Sequence, residues 1–363
     1  MQSVPSHLSF ERAPMRVYWE ITRACGLACR HCRAEATPSA DPEELSPAEG
    51  RALLDHLAGF GDPKPHVILT GGDPLERADL WDLVRYARSR GLLVSVSPSA
   101  TPKLTPEVIH RFKSESVEAI SLSIDCATAE RHDAIRGVPG CFDRTLAAAH
   151  AAADAKLMVQ VNTLVSAETL ADLPAVHDLV VRLRAARWSL FFLVSVGRGT
   201  VLQAIEPDEA ERLLGWLAEL PRGDGLPVVT TTEAPHFRRI VLGKRNLPVV
   251  AAARSGFGVR DGNGVMFISH RGEVSPSGFL PLSAGNVRDE SPVDIYRSAP
   301  LFQSLRKATD FGGRCGVCAF HAVCGGSRAR AWSATGDPLA EDPLCTYDAY
   351  GKAPAEASPP ASP

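Results

Sequence analysis

What the sequence lacks narrows it first. No run of eighteen apolar residues occurs in its 363 positions, so no membrane-spanning helix is expected. Charge of one sign is not in excess, the net charge being −3, and nothing draws the chain as a whole to nucleic acid or to an anionic membrane. No apolar stretch or basic cluster marks the first fourteen residues, so a secretory signal is not expected and the protein is expected in the cytoplasm. That compartment keeps thiols reduced, which sets aside disulfides for the nine cysteines. Seven of them fall into two groups, Cys25/Cys29/Cys32 and Cys315/Cys318/Cys324/Cys345. Clustered thiols in a reduced chain point to metal. Cys126 and Cys141 lie outside both groups and read as small buried hydrophobes.

The remainder is an ordinary globular composition, 45% hydrophobic, long enough for one large domain and a small one. From Arg16 to about Leu220 short β-branched runs alternate with helical stretches, the pattern of repeated βα units on a parallel sheet. Strands are predicted at 17–22, 66–70, 92–97, 119–125, 158–165 and 189–195. Helices are predicted at 47–60, 80–90, 106–113, 142–155, 173–185 and 207–220, three of them opening on proline at Pro47, Pro106 and Pro207. Six units leave an open barrel or a doubly wound sheet, and either puts the chemistry in loops at the carboxyl ends of the strands. A further strand is read at 226–232, then a basic patch (Arg238, Arg239, Lys244, Arg245) taken as a solvated surface, then a hairpin turning at Arg271-Gly272.

The loop after the first strand reads Cys25-Gly-Leu-Ala-Cys29-Arg-His31-Cys32. Three thiolates at this spacing can hold three corners of a 4Fe-4S cluster and leave the fourth iron open. A zinc site completed from elsewhere is the plainer alternative, although structural zinc takes four closed ligands. After the second strand stands Gly71-Gly72-Asp73-Pro74; glycines admit close backbone approach, and carbonyls with a carboxylate suit an ammonium group. Ser123 lies on the fourth strand, and Arg136 follows in the stretch after it with a planar fork suited to a carboxylate. Together these residues resemble the radical S-adenosylmethionine (radical SAM) enzymes.

The resemblance implies an α/β fold, a partial (β/α)6 TIM-like barrel, over 15–222. It implies that the cluster and S-adenosylmethionine bind at Cys25, Cys29 and Cys32, with cofactor contacts from His31, Gly71, Gly72, Asp73, Pro74, Ser99, Ser123, Arg136 and Asn162. The family often has an aromatic residue where His31 stands, and its tetrapyrrole-modifying members carry histidine there. Cys315-x2-Cys318-x5-Cys324 with Cys345 resembles the cysteine-rich extension called SPASM or twitch, implying one auxiliary 4Fe-4S cluster over 264–350. The second auxiliary cluster of the full form is not expected, because Ser275-Pro-Ser277 and Arg328 stand where its cysteines would be. Zinc on the same four thiols is the alternative, though ribbons favour two C-x2-C pairs. A loose arm over 1–14, a linker over 223–263 and a disordered tail over 351–363 complete the expected organisation.

The activity implied is reductive cleavage of S-adenosylmethionine to a 5′-deoxyadenosyl radical that takes hydrogen from an unreactive carbon, fed by an external one-electron donor such as flavodoxin or ferredoxin. Phrases such as Phe191-Phe-Leu-Val-Ser-Val-Gly-Arg198-Gly199 and Cys324-Gly-Gly-Ser-Arg328 resemble the haem-biosynthesis branch, which trims tetrapyrrole propionates. Arg198, Arg238, Arg239, Arg328 and Arg330 are the candidate cations for such a substrate. A ribosomal-peptide maturase and a non-catalytic iron-sulfur scaffold or redox partner are the alternatives. The short segment before the first strand weighs against a leader-binding maturase, and the retained cofactor motifs weigh against a scaffold. No catalytic acid or base is marked by spacing; Glu233 and His236 are placed where a substrate passes, and a structural turn is the plainer reading of both.

Overall fold

Val17, Trp19 and Ile21 are fully buried while Arg16 and Tyr18 between them are half-exposed. This two-residue alternation gives the first strand, β1 (Arg16–Thr22), one face in a core and one face open to water. The pattern repeats round the sheet of the computed structural model, which describes residues 10–252 and 258–350. Strands β2 (His66–Gly71), β3 (Leu93–Val96), β4 (Ala119–Ser123), β5 (Met158–Val165), β6 (Arg187–Phe192) and β7 (Val228–Thr232) follow in spatial order, every pair parallel. Helices α1 (Pro47–Ala58), α2 (Leu80–Ser89), α3 (Pro106–Ser114), α4 (Ala129–Arg136) and α5 (Cys141–Asp154) make the first crossovers. Helices α6 (Leu173–Arg182), α7 (Pro207–Glu219) and α8 (Phe237–Arg245) continue them. The predicted prolines sit in the first turns of α1, α3 and α7; Ser46 and Glu206 close capping boxes, and Thr105 caps α3.

The buried face of this sheet and the helices form one core, with Trp19, Leu69, Val94, Leu122, Val161 and Trp188 under the helices. The opposite face is concave and polar: Ser121 and Ser123 on β4, Gln160 and Asn162 on β5, and Thr230 and Thr232 on β7 are all half-buried. A parallel sheet with one helix-covered face and one wet, inward face is an open barrel, and this chooses between the two architectures left open by the unit count.

The sheet continues through the region expected to be a separate small domain. After the short helix α9 (Val249–Ala252), β8 (Val265–Ile268) pairs parallel with β1, and β9 (Glu273–Ser275) and β10 (Gly285–Asn286) extend it antiparallel. Gly272 turns the β8–β9 hairpin, as predicted. Helices α10 (Pro292–Ser298), α11 (Pro300–Arg306), α12 (Gly313–Val317) and α13 (Arg328–Thr335) then lead through the second cysteine group. The linker expected over 223–263 contains β7 and α8. The basic patch read as solvated lies on α8 with Arg239 buried, because Arg238 caps the carbonyls of Val259 and Val323 and Arg239 pairs with Glu211. Most of the expected arm over 1–14 and all of the tail over 351–363 lie outside the described residues.

Candidate active site at the cysteine loop

The loop carrying Cys25, Cys29 and Cys32 leaves the carboxyl end of β1 and is held on three sides by backbone. Cys25 N donates to Thr37 O at 2.8 Å, Ala28 N to Arg136 O at 3.2 Å and Arg30 N to Ile135 O at 2.9 Å, while Arg198 N reaches Cys32 O at 3.1 Å. Each sulfur meets a donor. Leu27 N lies 3.3 Å from Cys25 Sγ, Ala36 N lies 3.4 Å from Cys32 Sγ, and Arg136 Nη1 lies 3.8 Å from Cys29 Sγ. Amide and guanidinium donors aimed at sulfur stabilise thiolate over thiol, the form a 4Fe-4S cluster binds, so the donor set fits that group.

Gly71 and Gly72 are required by this loop. A Cβ on Gly72 would stand 2.2 Å from Ala24 O, and one on Gly71 would stand 2.2 Å from Thr22 O. Gly72 N and Asp73 N instead donate to Thr22 O and Ala24 O at 2.8 and 2.7 Å. The close approach that glycine permits is used here by the base of the cysteine loop. Asp73 is fully buried. Its Oδ1 accepts from Leu75 N and Ser99 N and its Oδ2 from Thr101 Oγ1, while Pro74 opens the short turn it caps. Burial raises its carboxyl above the ordinary range, and no cation pairs with it among the described residues. A buried carboxylate without a counter-charge suits an arriving ammonium group. Ser99 bridges Gly72 O at 2.9 Å and Cys25 Sγ at 3.5 Å. Ser123 and Asn162 are register partners on β4 and β5, both facing the concave side.

Arg136 also serves the loop itself. It is buried beneath the loop, with Nη2 2.6 Å from Asp125 and Nη1 3.8 Å from Cys29 Sγ, so both terminal nitrogens face groups of the protein. Burial works to raise the Asp125 carboxyl, but Arg136, the neighbouring His31 and His132 and the Leu164 amide together outweigh it and hold it at about 2. Burial and then Arg136 hold His31 at about 4, a neutral imidazole at neutral pH. Cys141 is buried in the same apolar cluster as Cys25 and Cys29, a neighbour that spacing did not reveal; Cys126 is buried elsewhere.

The candidate substrate arginines are also committed. Arg198 Nε and Nη1 donate to Cys29 O and Ala36 O, each at 3.1 Å. Arg330 pairs with Asp342. Arg328 is fully buried, donates to Pro338 O and Ala340 O, and lies 3.5 Å from Cys315 Sγ. Backbone carbonyl acceptors leave no trace in a sequence, which is why these roles were missed.

At the far end of the fold Cys315, Cys318, Cys324 and Cys345 line one cavity. Phe320 N and Gly326 N donate to Cys318 and Cys324 at 3.4 and 3.5 Å, and Asp342 N to Cys315 at 3.4 Å. These thiolate-stabilising donors fit an iron-sulfur cluster as well as those of the first loop do. Nearby, Glu233 holds a left-handed backbone, accepts from Ser327 Oγ and is pushed well above the carboxylate range by burial and then by Asp261. His236 is buried and held at about 4 by its surroundings.

Comparison with known proteins agrees. The sequence pattern of the Radical SAM superfamily matches residues 19–180. The AdoMet-dependent heme synthase of Nitratidesulfovibrio vulgaris is 39% identical over 340 residues, 91% of this chain and 92% of that protein. The enzyme of the same name from Methanosarcina barkeri is 37% identical over 94% of this chain and 98% of its own. Among solved structures, Streptococcus suis SuiB bound to its precursor peptide superposes with a TM-score of 0.71 at 16% identity, covering 93% of this chain and 76% of that one; at that identity the likeness is one of fold. The chain belongs to the radical SAM superfamily, with S-adenosylmethionine and a 4Fe-4S cluster as its cofactors, on the branch whose members are named for haem synthesis.

Proposed function

We propose that the protein oxidatively removes carboxylate from the propionate side chains of a tetrapyrrole haem precursor. The observation that carries this reading is the 39% identity to a haem synthase along nearly the full length of both chains. Bound at Cys25, Cys29 and Cys32, the cluster and S-adenosylmethionine supply a 5′-deoxyadenosyl radical able to take hydrogen from an unreactive carbon. The chain's residues then have separate tasks. Asp73 takes the ammonium group of the cofactor, with Ser99 fixing the adjoining Gly72 carbonyl and Pro74 the turn. Ser123 and Asn162 offer polar contacts from the concave face, and His31 places a neutral ring beside the cluster. Arg136, anchored by Asp125, holds the Cys29 corner directly through its other terminal nitrogen. The open barrel supplies a walled space where a radical is kept from solvent.

The second cysteine group holds one auxiliary 4Fe-4S cluster in a SPASM/twitch-like unit over 264–350 that shares the sheet of the barrel. Ser275 and Ser277, at the position of a further cluster's ligands, form a buried hydroxyl group in which Ser275 Oγ donates to Ser277 O. This supports one auxiliary cluster instead of two. The protein acts in the cytoplasm, reduced by flavodoxin or ferredoxin.

The test is anaerobic incubation of cluster-loaded protein with reductant, S-adenosylmethionine and iron coproporphyrin III. The expected result is 5′-deoxyadenosine, which carries one hydrogen atom of the side chain, together with a product lighter by carbon dioxide and two hydrogens for each propionate converted, the second hydrogen leaving as a proton and its electron passing to a one-electron acceptor such as an oxidised iron-sulfur cluster. Release of 5′-deoxyadenosine with no change in the tetrapyrrole overturns the substrate and returns the peptide-maturase reading; no release at all from loaded protein returns the scaffold reading.

A further inference from the structure

Every arginine that the sequence offered as a substrate contact is engaged inside the protein, and two that it did not offer are free. Arg16 opens β1 and Arg187 opens β6. Both lie on the concave face, since Val17 and Trp188 beside them are in the helix-covered core. Both are half-buried. Neither guanidinium has a hydrogen bond or ion pair with any described residue. The carboxylate that β1 does turn to this face, Glu20, is taken by Arg33 at 2.9 Å and His270 at 2.8 Å.

We infer that Arg16 and Arg187 form a carboxylate-binding site at the amino end of the barrel's concave face, which receives the acidic side chains of the substrate that do not react. The inference rests on the tetrapyrrole reading above and names the part of the site that selects a polyacid.

Partly desolvated guanidiniums without counter-charge are costly to keep, and a planar fork is suited to two-pronged binding of a carboxylate. The two groups sense each other: burial, and then the charge of Arg16, lowers the Arg187 pKa. Arg16 also lowers His66 and Arg238, secondary to their burial, so its charge is felt across this end of the sheet. Depth gives the size of the ligand. β1 spans seven residues from Arg16 to the base of the cysteine loop, which is about 20 Å at 3.3 Å per residue. A ligand reaching from a carbon beneath the cysteine loop to this end must be long and must be acidic at its remote edge. A macrocycle carrying several propionates meets both demands; a short monocarboxylic acid meets neither.

The experiment is equilibrium titration of cluster-loaded protein with iron coproporphyrin III and, separately, with its tetramethyl ester, followed by the porphyrin absorbance. Arg187→Met and Arg16→Met are expected to bind the acid roughly ten- to a hundredfold more weakly than the unsubstituted protein. Neither should change binding of the ester, and Arg187→Lys should fall between. Removal of an unpaired, partly buried charge should leave the melting temperature unchanged or raised, an outcome opposite to that of a merely structural arginine. Equal acid binding by Arg187→Met and the unsubstituted protein overturns the site, as does equal loss of acid and ester. Failure of the unsubstituted protein to bind either porphyrin overturns the tetrapyrrole reading and this site with it, whereas tight binding without arginine dependence overturns the site alone.

Discussion

Asp73 illustrates how one residue can carry two tasks that mutagenesis will separate. Its oxygens cap the turn at Pro74 and tie in Thr101, while its charge is left without a cation. Asp73→Asn keeps most of the hydrogen bonding and removes the charge. It should raise the apparent KM for S-adenosylmethionine at least tenfold with little change in melting temperature. Asp73→Ala removes both and should also cost about 1–3 kcal/mol of stability. Equal KM values for Asp73→Asn and the parent would remove the ammonium role. The cysteines separate as cleanly: Cys324→Ser should lower iron from about eight to about four atoms per chain, in line with two 4Fe-4S clusters of which one is lost. Loss of no iron in that variant contradicts the auxiliary cluster. At this scale the sequence was most legible where chemistry depends on residue type and spacing, as in both thiol groups. It was least legible for arginines, because Arg198, Arg238 and Arg328 spend their charge on carbonyls that any residue can provide.

At the scale of elements every strand predicted from β-branched runs is present, with ends displaced by a few residues. The sixth begins at Arg187 and closes at Phe192. Helix α4 escaped notice because it is short and polar, with Ile135 its one large buried aliphatic residue, and so it lacks the apolar stripe that marks a helix. Helix α8 escaped because Arg238 and Arg239 turn inward, to carbonyls and to Glu211, reversing the usual meaning of charge. Helix α13 offers an element-level prediction. Ser327 caps it through Arg330 N and donates to buried Glu233 from the same hydroxyl. Ser327→Ala therefore loses a cap and leaves a buried carboxyl short of a donor, an expected cost of about 2–3 kcal/mol by denaturant unfolding. A change below about 0.5 kcal/mol would show the cap to be idle.

For the whole molecule, the inward polar face explains why fold class was readable and substrate contacts were not. Alternation within each strand shows that one face is wet, but only the curvature of the sheet turns that wet face into a shared interior. The same burial sets a pH limit. Burial holds His66, His132 and His236 at about 4, below the 6.5 of an unfolded histidine. Between those values the unfolded chain binds more protons, so stability is complete above about pH 6.5 and falls as pH drops toward 4, by several kcal/mol in sum. Urea midpoints measured on loaded protein between pH 7.5 and 5.5 should decline; a flat profile would contradict the neutral buried state.

The seat of the cysteine loop has a consequence for engineering. Gly72, Gly137 and Gly197 come from three different loops, and a Cβ on each would stand 2.2, 2.6 and 2.5 Å from the carbonyls of Ala24, Ala28 and Arg33. The loop is thus cast against three separate backbones with no room for a methyl group. Moving Cys25–Cys32 into another barrel would carry the ligands but leave behind the mould that shapes them. A transplant must therefore bring the three glycines as well as the loop.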